Sequence, residues 1–196
     1  MTSVEKEIKI LITDISKLVS QLKHHHAVMI GLTKEKTFRF DSPDQNLAKS
    51  GLFLRLRSGF KNVITLKEKK QKDKKYKIRV ETELEIGDLK NMSYILKLIG
   101  FSHIKIMEKY RINFKYKRVI LSLDELPFGT YLEIEGTENQ IKSVMKDFGF
   151  NTDEVIPDTY WALFAKTKQK SNKPGDMIFP LKYKSQLFKY FKTHEY

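Results

Sequence analysis

Along most of this chain apolar and ionic side chains alternate every second residue. Val4, Ile8 and Ile10 share one parity while Glu5, Glu7 and Lys9 take the other. Side chains on a strand point alternately to its two faces, so this pattern predicts β-structure. Strands are expected at residues 4–10, 37–41, 52–57, 63–69, 77–86, 105–115, 119–124 and 130–135. Between them the period changes to that of a helix. Ile15, Leu18, Val19 and Leu22 form one apolar stripe, and Leu89, Met92, Ile95, Leu96 and Ile99 form another. Helices are therefore expected at residues 14–23, 88–100, 138–148 and 159–166, with a helical turn near 46–50. Gly100-Phe101 and Gly149-Phe150 close two of them, as glycine commonly does at helix ends.

The polar faces of these strands are unusual in composition. Arg55 and Arg57 oppose Leu52, Leu54 and Leu56, and Thr65 and Lys67 oppose Ile64 and Leu66. Arg79, Glu81, Glu83 and Glu85 share a face, as do Lys109 and Arg111, Ser122 and Asp124, and Glu133 and Glu135. A half-solvated sheet carries Thr, Ser, Gln and Asn among its outer residues; here the polar positions are mainly Arg, Lys, Glu and Asp. The apolar faces need cover, which amphipathic helices can supply from outside. The expected architecture is α+β: a closed antiparallel barrel of eight strands, ionic within, with helices packed outside.

An ionic interior is costly unless the charges are paired, wet or bound to a charged ligand. Lys9, Arg55, Arg57, Lys67, Arg79, Lys109 and Arg111 suit phosphate oxygens. Glu5, Glu7, Asp124, Glu133 and Glu135 suit a hard divalent cation, Mg²⁺ or Mn²⁺, with Glu81 and Glu83 as secondary candidates. A triphosphate with its metal satisfies both sets.

The order of motifs along the chain adds to this. Glu5-Lys6-Glu7-Ile8-Lys9, Phe40-Asp41-Ser42-Pro43-Asp44, Gly51-Leu52-Phe53-Leu54-Arg55-Leu56-Arg57, Thr65-Leu66-Lys67 and Arg79-x-Glu81-x-Glu83 follow one another. Then come Glu108-Lys109-Tyr110-Arg111, Leu123-Asp124-Glu125-Leu126 and Phe128-Gly129-Thr130-Tyr131-Leu132-Glu133-Ile134-Glu135. Over residues 4–167 the chain resembles the CYTH, or triphosphate tunnel, family, and most of all its class IV adenylyl cyclase-like branch. Asp158-Thr159-Tyr160-Trp161-Ala162-Leu163-Phe164 looks like that branch's closing Ser-Tyr motif. The resemblance implies a metal-dependent enzyme that converts ATP to cyclic AMP and pyrophosphate, or a hydrolase of tripolyphosphate, thiamine triphosphate or nucleoside triphosphates on the same site. The family often places Asp and Tyr where Thr37 and Arg39 stand here, and the branch carries a His-Phe pair ahead of its first signature that this sequence lacks. Both differences bear on nucleotide positioning more than on triphosphate binding.

Composition narrows the remaining classes. With 196 residues and no cysteine, disulfides and thiolate metal sites are excluded, and the charged start and absence of a long apolar run fit a soluble cytoplasmic protein. The net charge of +13 attracts polyanions. A non-enzymatic binder of RNA or polyphosphate is the rival reading, although nucleic acid does not call for the carboxylates. A homodimer is compatible with everything above. His24-His25-His26 read as a helix terminus, the lysine-rich run 67–77 as a solvated hairpin tip, and Trp161 with Tyr160 and Phe164 as packing. Residues 1–167 are expected to form the tunnel domain. Residues 168–196 are expected to be a basic, aromatic extension docked on it through Leu187, Phe188 and Phe191.

Overall fold

The computed structural model describes residues 2–72, 77–167 and 175–193, apart from the side chains of residues 2, 3, 5, 70–72 and 77. In chain order the strands are β1 (Thr2–Leu11), β2 (Val28–Asp41), β3 (Leu52–Ser58), β4 (Val63–Lys72), β5 (Lys77–Glu85), β6 (His103–Tyr116), β7 (Val119–Leu126), β8 (Gly129–Glu135) and β9 (Val155–Ile156). The helices are α1 (Ile15–His24), α2 (Asn46–Lys49), α3 (Leu89–Leu98), α4 (Glu138–Asp147), α5 (Tyr160–Lys166) and α6 (Gln186–Thr193). Eight strands close in the order β1-β5-β4-β3-β2-β6-β7-β8 and back to β1, every pairing antiparallel. The expected barrel is therefore present, with β9 added where β1 outruns β5: Lys9 and Ile10 pair with Ile156 and Val155.

The helices start where side-chain oxygens can satisfy their first amides. Asp14 accepts from Lys17 N, Asp88 from Lys90 N and Asn91 N, and Thr137 shares a capping box with Gln140. Gly100 and Gly149 adopt φ of 102° and 66°, and the next amide in each case returns to a carbonyl of the last turn.

The outward faces of the strands make the core. Ile8, Ile10, Leu121, Leu123, Leu132 and Ile134 are covered by Leu18 and Leu22 of α1 and by Ile141, Val144 and Phe148 beside α4. On the other flank Phe40, Leu54 and Leu56 pack under Leu96 of α3. With both apolar flanks roofed by helices, the opposite strand faces are left to line the lumen.

Two details differ from the sequence expectation. Strand β2 begins at Val28, nine residues before the expected start, because its middle carries Thr33, Glu35 and Thr37 on one face and Lys34 and Lys36 on the other, so hydrophobic alternation cannot announce it. The lysine-rich run is largely strand: β4 and β5 extend across it with a register shift between Lys69 and Gln71, and residues 73–76 lie outside the described residues. The histidine run is the helix terminus that was expected, His24 ending α1 and His25 capping it with its ring 4.8 Å from that of Phe148.

Residues 175–193 lie against the barrel where β7 has ended. Met177 bridges to β6, its amide donating to Ile106 O and its carbonyl accepting from Glu108 N, while Asp176 accepts from Ile106 N. Glu125 of β7, 5% exposed, accepts from Tyr183 Oη, Ser185 Oγ, Gln186 N and Leu187 N. A buried carboxylate thus caps α6, whose Leu187 and Phe191 enter the main core.

Candidate active site inside the barrel

The lumen holds a small cavity of about 90 Å³, small because charged side chains fill most of the space. All seven basic residues singled out from sequence line it: Lys9 of β1, Arg55 and Arg57 of β3, Lys67 of β4, Arg79 of β5, and Lys109 and Arg111 of β6. Glu7, Glu133, Phe53, Met107, Thr159, Tyr160 and Trp161 complete the wall. Strand alternation explains the convergence: each cation occupies the inward parity of its strand, and closure turns those parities toward one axis.

The carboxylates take different stations. Glu7 and Glu133 face the cavity from either side of the Lys9 ammonium, at 2.6 and 3.1 Å. Asp124 is fully buried behind the wall, bonded to Arg111 Nε at 2.6 Å, Lys109 Nζ at 3.0 Å and Tyr160 Oη at 2.9 Å. Arg111 also reaches Glu133. Glu81 pairs with Lys67. Glu83 accepts from Thr65 Oγ1 at 2.8 Å and lies 3.5 Å from Arg57 and 3.8 Å from Arg55. Glu135 is exposed and away from the cavity wall, and the Glu5 side chain lies outside the described atoms.

Burial and neighbours compete over each charge. Burial pushes the Lys9 ammonium toward neutrality, but Glu133 and Glu7 overcome it and hold the group charged well above the usual lysine range. Burial likewise raises the Glu133 carboxyl, yet Lys9 carries it far below the carboxylate range. Tyr160 is pushed up by burial and by Asp124, so its hydroxyl stays protonated and donates.

Two members of this cluster were not expected from sequence. Glu35 of β2 is 4% exposed, 3.2 Å from Lys109 Nζ and 3.8 Å from Arg57 Nη1. Extending the alternation back from Arg39 through Thr37 would have placed it inside the barrel. Tyr160, which the sequence offers as packing and as part of a family-like closing motif, packs on Met107 and Tyr131 and also donates to Asp124, with Lys9 and Lys109 within 5.1 and 5.7 Å of its ring. No periodicity signals a contact between residues so far apart in the chain.

The CYTH domain family matches residues 3–151. The chain belongs to the CYTH domain family. CYTH proteins are generally enzymes, adenylyl cyclase-like or triphosphatases, and generally depend on a divalent metal. A Methanocaldococcus jannaschii protein named "Putative adenylate cyclase" is 27% identical over 171 residues, covering 82% of this chain and 98% of the relative. Among solved CYTH-type folds, a Vibrio parahaemolyticus "putative adenylate cyclase" superposes with TM-score 0.71 at 17% identity, covering 83% of this chain and 98% of that one. A Hippeastrum protein, described as a "putative adenylyl cyclase" with a dominant triphosphatase activity, superposes with TM-score 0.60 at 19% identity, covering 89% of this chain and all of the other.

The donor set fits the metal that the CYTH family implies. Glu7 and Glu133 present hard carboxylate oxygens to the same cavity as the cations. Magnesium-type ions are held by one or two carboxylates plus substrate phosphates instead of a complete protein cage. Among the described residues no group of three His, Asp or Glu side chains is placed to hold a metal ion.

Proposed function

We propose that this chain is a divalent-metal-dependent enzyme that binds the triphosphate of ATP or a related compound in its barrel and cleaves it. One observation carries the reading: seven cations from five strands and two cavity-facing carboxylates surround one cavity. An RNA-binding surface would spread its cations over an accessible face.

The division of labour follows from the contacts. Arg55, Arg57, Lys67, Arg79, Lys109 and Arg111 grip phosphate oxygens, the arginines offering paired donors to each phosphate. Glu7 and Glu133 hold the metal, with Lys9 fixed between them. When bound, that ion neutralises charge developing on the phosphate chain. Asp124, braced by Tyr160, fixes the directions of Lys109 and Arg111. Catalysis of this kind rests on positioning and charge stabilisation, since phosphoryl transfer asks for little covalent chemistry from the protein.

Two reactions use this grip. In the cyclase-type reaction, favoured by the names of the relatives, the ribose 3′-hydroxyl attacks the α-phosphorus of ATP and pyrophosphate leaves. In the second, water attacks the terminal phosphorus and orthophosphate leaves. The Hippeastrum neighbour's described activity supports the second. Incubation with ATP and, separately, tripolyphosphate under Mg²⁺ or Mn²⁺ tests the proposal. Cyclic AMP with pyrophosphate identifies the cyclase, orthophosphate the triphosphatase, and no metal-dependent product from either substrate refutes the proposal.

A further inference from the structure

The geometry points to Glu35 as the internal counter-charge that sets how tightly the barrel holds its anionic ligand. This rests on the reading of the lumen as a triphosphate site. Glu35 stands on β2 between Lys34 and Lys36, which pair outside with Glu108 at 3.2 and 3.5 Å. Its own carboxylate points inward and touches two of the phosphate-gripping cations, Lys109 and Arg57. Those cations line the cavity and Glu35 does not, so it stands behind them. Room for it depends on the turn after β3: a Cβ at Gly59 would sit 3.0 Å from Glu35 Cγ.

The carboxylates behind the wall are not equivalent. Asp124 is tied to Arg111, Lys109 and Tyr160 by aligned hydrogen bonds. Glu35 Oε2 is buried and has no hydrogen-bond partner, although Lys109 Nζ lies only 3.2 Å away. Its hold on the cations is therefore chiefly Coulombic. Such a charge acts in two opposed ways. Without ligand it offsets the mutual repulsion of Arg55, Arg57, Lys109 and Arg111, whose positive charges in turn keep it ionised against the effect of burial. With ligand it repels the arriving phosphates, weakening their attachment and easing the departure of an anionic product. Glu35 acts through Arg57 and Lys109 and is a positioning residue for them.

Glu35→Gln removes the charge and keeps the shape. Titration calorimetry with tripolyphosphate in excess chelator, where no turnover consumes the ligand, is expected to give a Kd about tenfold lower for this variant, as a unit charge in a screened interior warrants. If the reaction releases pyrophosphate or orthophosphate, KM and kcat fall together because product is held longer; a residue needed only for folding would lower kcat and stability without tightening binding. Glu35→Asp keeps the charge and is expected to keep Kd within about twofold, and the exposed control Asp44→Asn is expected to do the same. A wild-type protein that binds tripolyphosphate while Glu35→Gln binds it no more tightly overturns this inference alone. A wild-type protein that binds neither tripolyphosphate nor ATP overturns the triphosphate reading and this one with it. Should Glu35→Gln fail to fold, Glu35→Asp decides: wild-type affinity supports the counter-charge, and binding about tenfold weaker makes Glu35 a steric prop and overturns it.

Discussion

At the scale of single residues, the interior is a set of charges each stabilised by its opposite. Lys9 between Glu7 and Glu133 shows how this works: burial pushes the ammonium toward its neutral form, and the two carboxylates outweigh it. Glu35 gives the clearest consequence for stability. Burial raises its carboxyl, but Lys109, Arg111, Arg57 and Arg55 bring it down from 4.5 to about 2. A carboxyl depressed on folding contributes stability that is present above its unfolded pKa and is lost as pH falls through the folded value. The window therefore runs from pH 4.5 down to about 2. Urea unfolding across that range is expected to show the wild type losing about 3 kcal/mol more than Glu35→Gln. Parallel pH profiles for the two proteins would contradict the assignment.

Among elements, helix α6 depends on a residue of a distant strand. Its first amides and two preceding hydroxyls converge on Glu125, next to Asp124 on β7 but on the opposite face. The same segment joins Met177 to the edge of β6 and packs Phe179 and Phe188 against Tyr110, with ring centroids 5.0 and 4.8 Å apart. Glu125→Ala leaves those donors without their acceptor in a buried place. The expected cost is about 3 kcal/mol, seen as a lower Tm. Limited proteolysis should find new cleavage within 175–193 while the barrel resists. Unchanged resistance would mean that aromatic packing alone holds the segment. Met177 shares an apolar cluster with Met107 and Tyr160, so a released segment is also expected to disturb the cavity wall.

For the whole molecule, the barrel separates two kinds of stabilisation. Hydrophobic burial lies outside the sheet, under α1, α3, α4 and α6. The densest ionic pairing lies inside it, and the two meet at Met107 and Tyr160, which belong to an apolar cluster and also line the cavity. Removing metal should therefore affect chemistry and leave the core alone. With excess chelator, turnover of ATP or tripolyphosphate is expected to vanish while far-UV circular dichroism stays unchanged and Tm, in the absence of substrate, moves by no more than a few degrees. Loss of fold on chelation would assign the metal a structural role and would count against Glu7 and Glu133 as an open, substrate-completed site.

The sequence by itself determined which face each strand would present, because a period of two is a local property of the backbone. Together with the ionic make-up of those faces, which points them into a closed sheet, the rule puts Lys9, Arg55, Arg57, Lys67, Arg79, Lys109 and Arg111 on one common surface, and all seven line the cavity. The helices were legible for the same reason, their stripes and caps being written within a few residues. What local pattern could not carry was long-range. The first nine residues of strand β2 do not alternate, an apolar run at 28–32 being followed by polar groups on both faces at 33–36, and Glu35 was hidden with them. Tyr160 reaches Asp124 across 36 positions, and only closure of the sheet brings them to 2.9 Å. Which carboxylates face the lumen and which stand behind it was likewise decided by barrel closure and strand tilt. Alternation fixes the side of a strand on which a residue lies, while its depth toward the axis depends on neighbours that the chain meets only when folded.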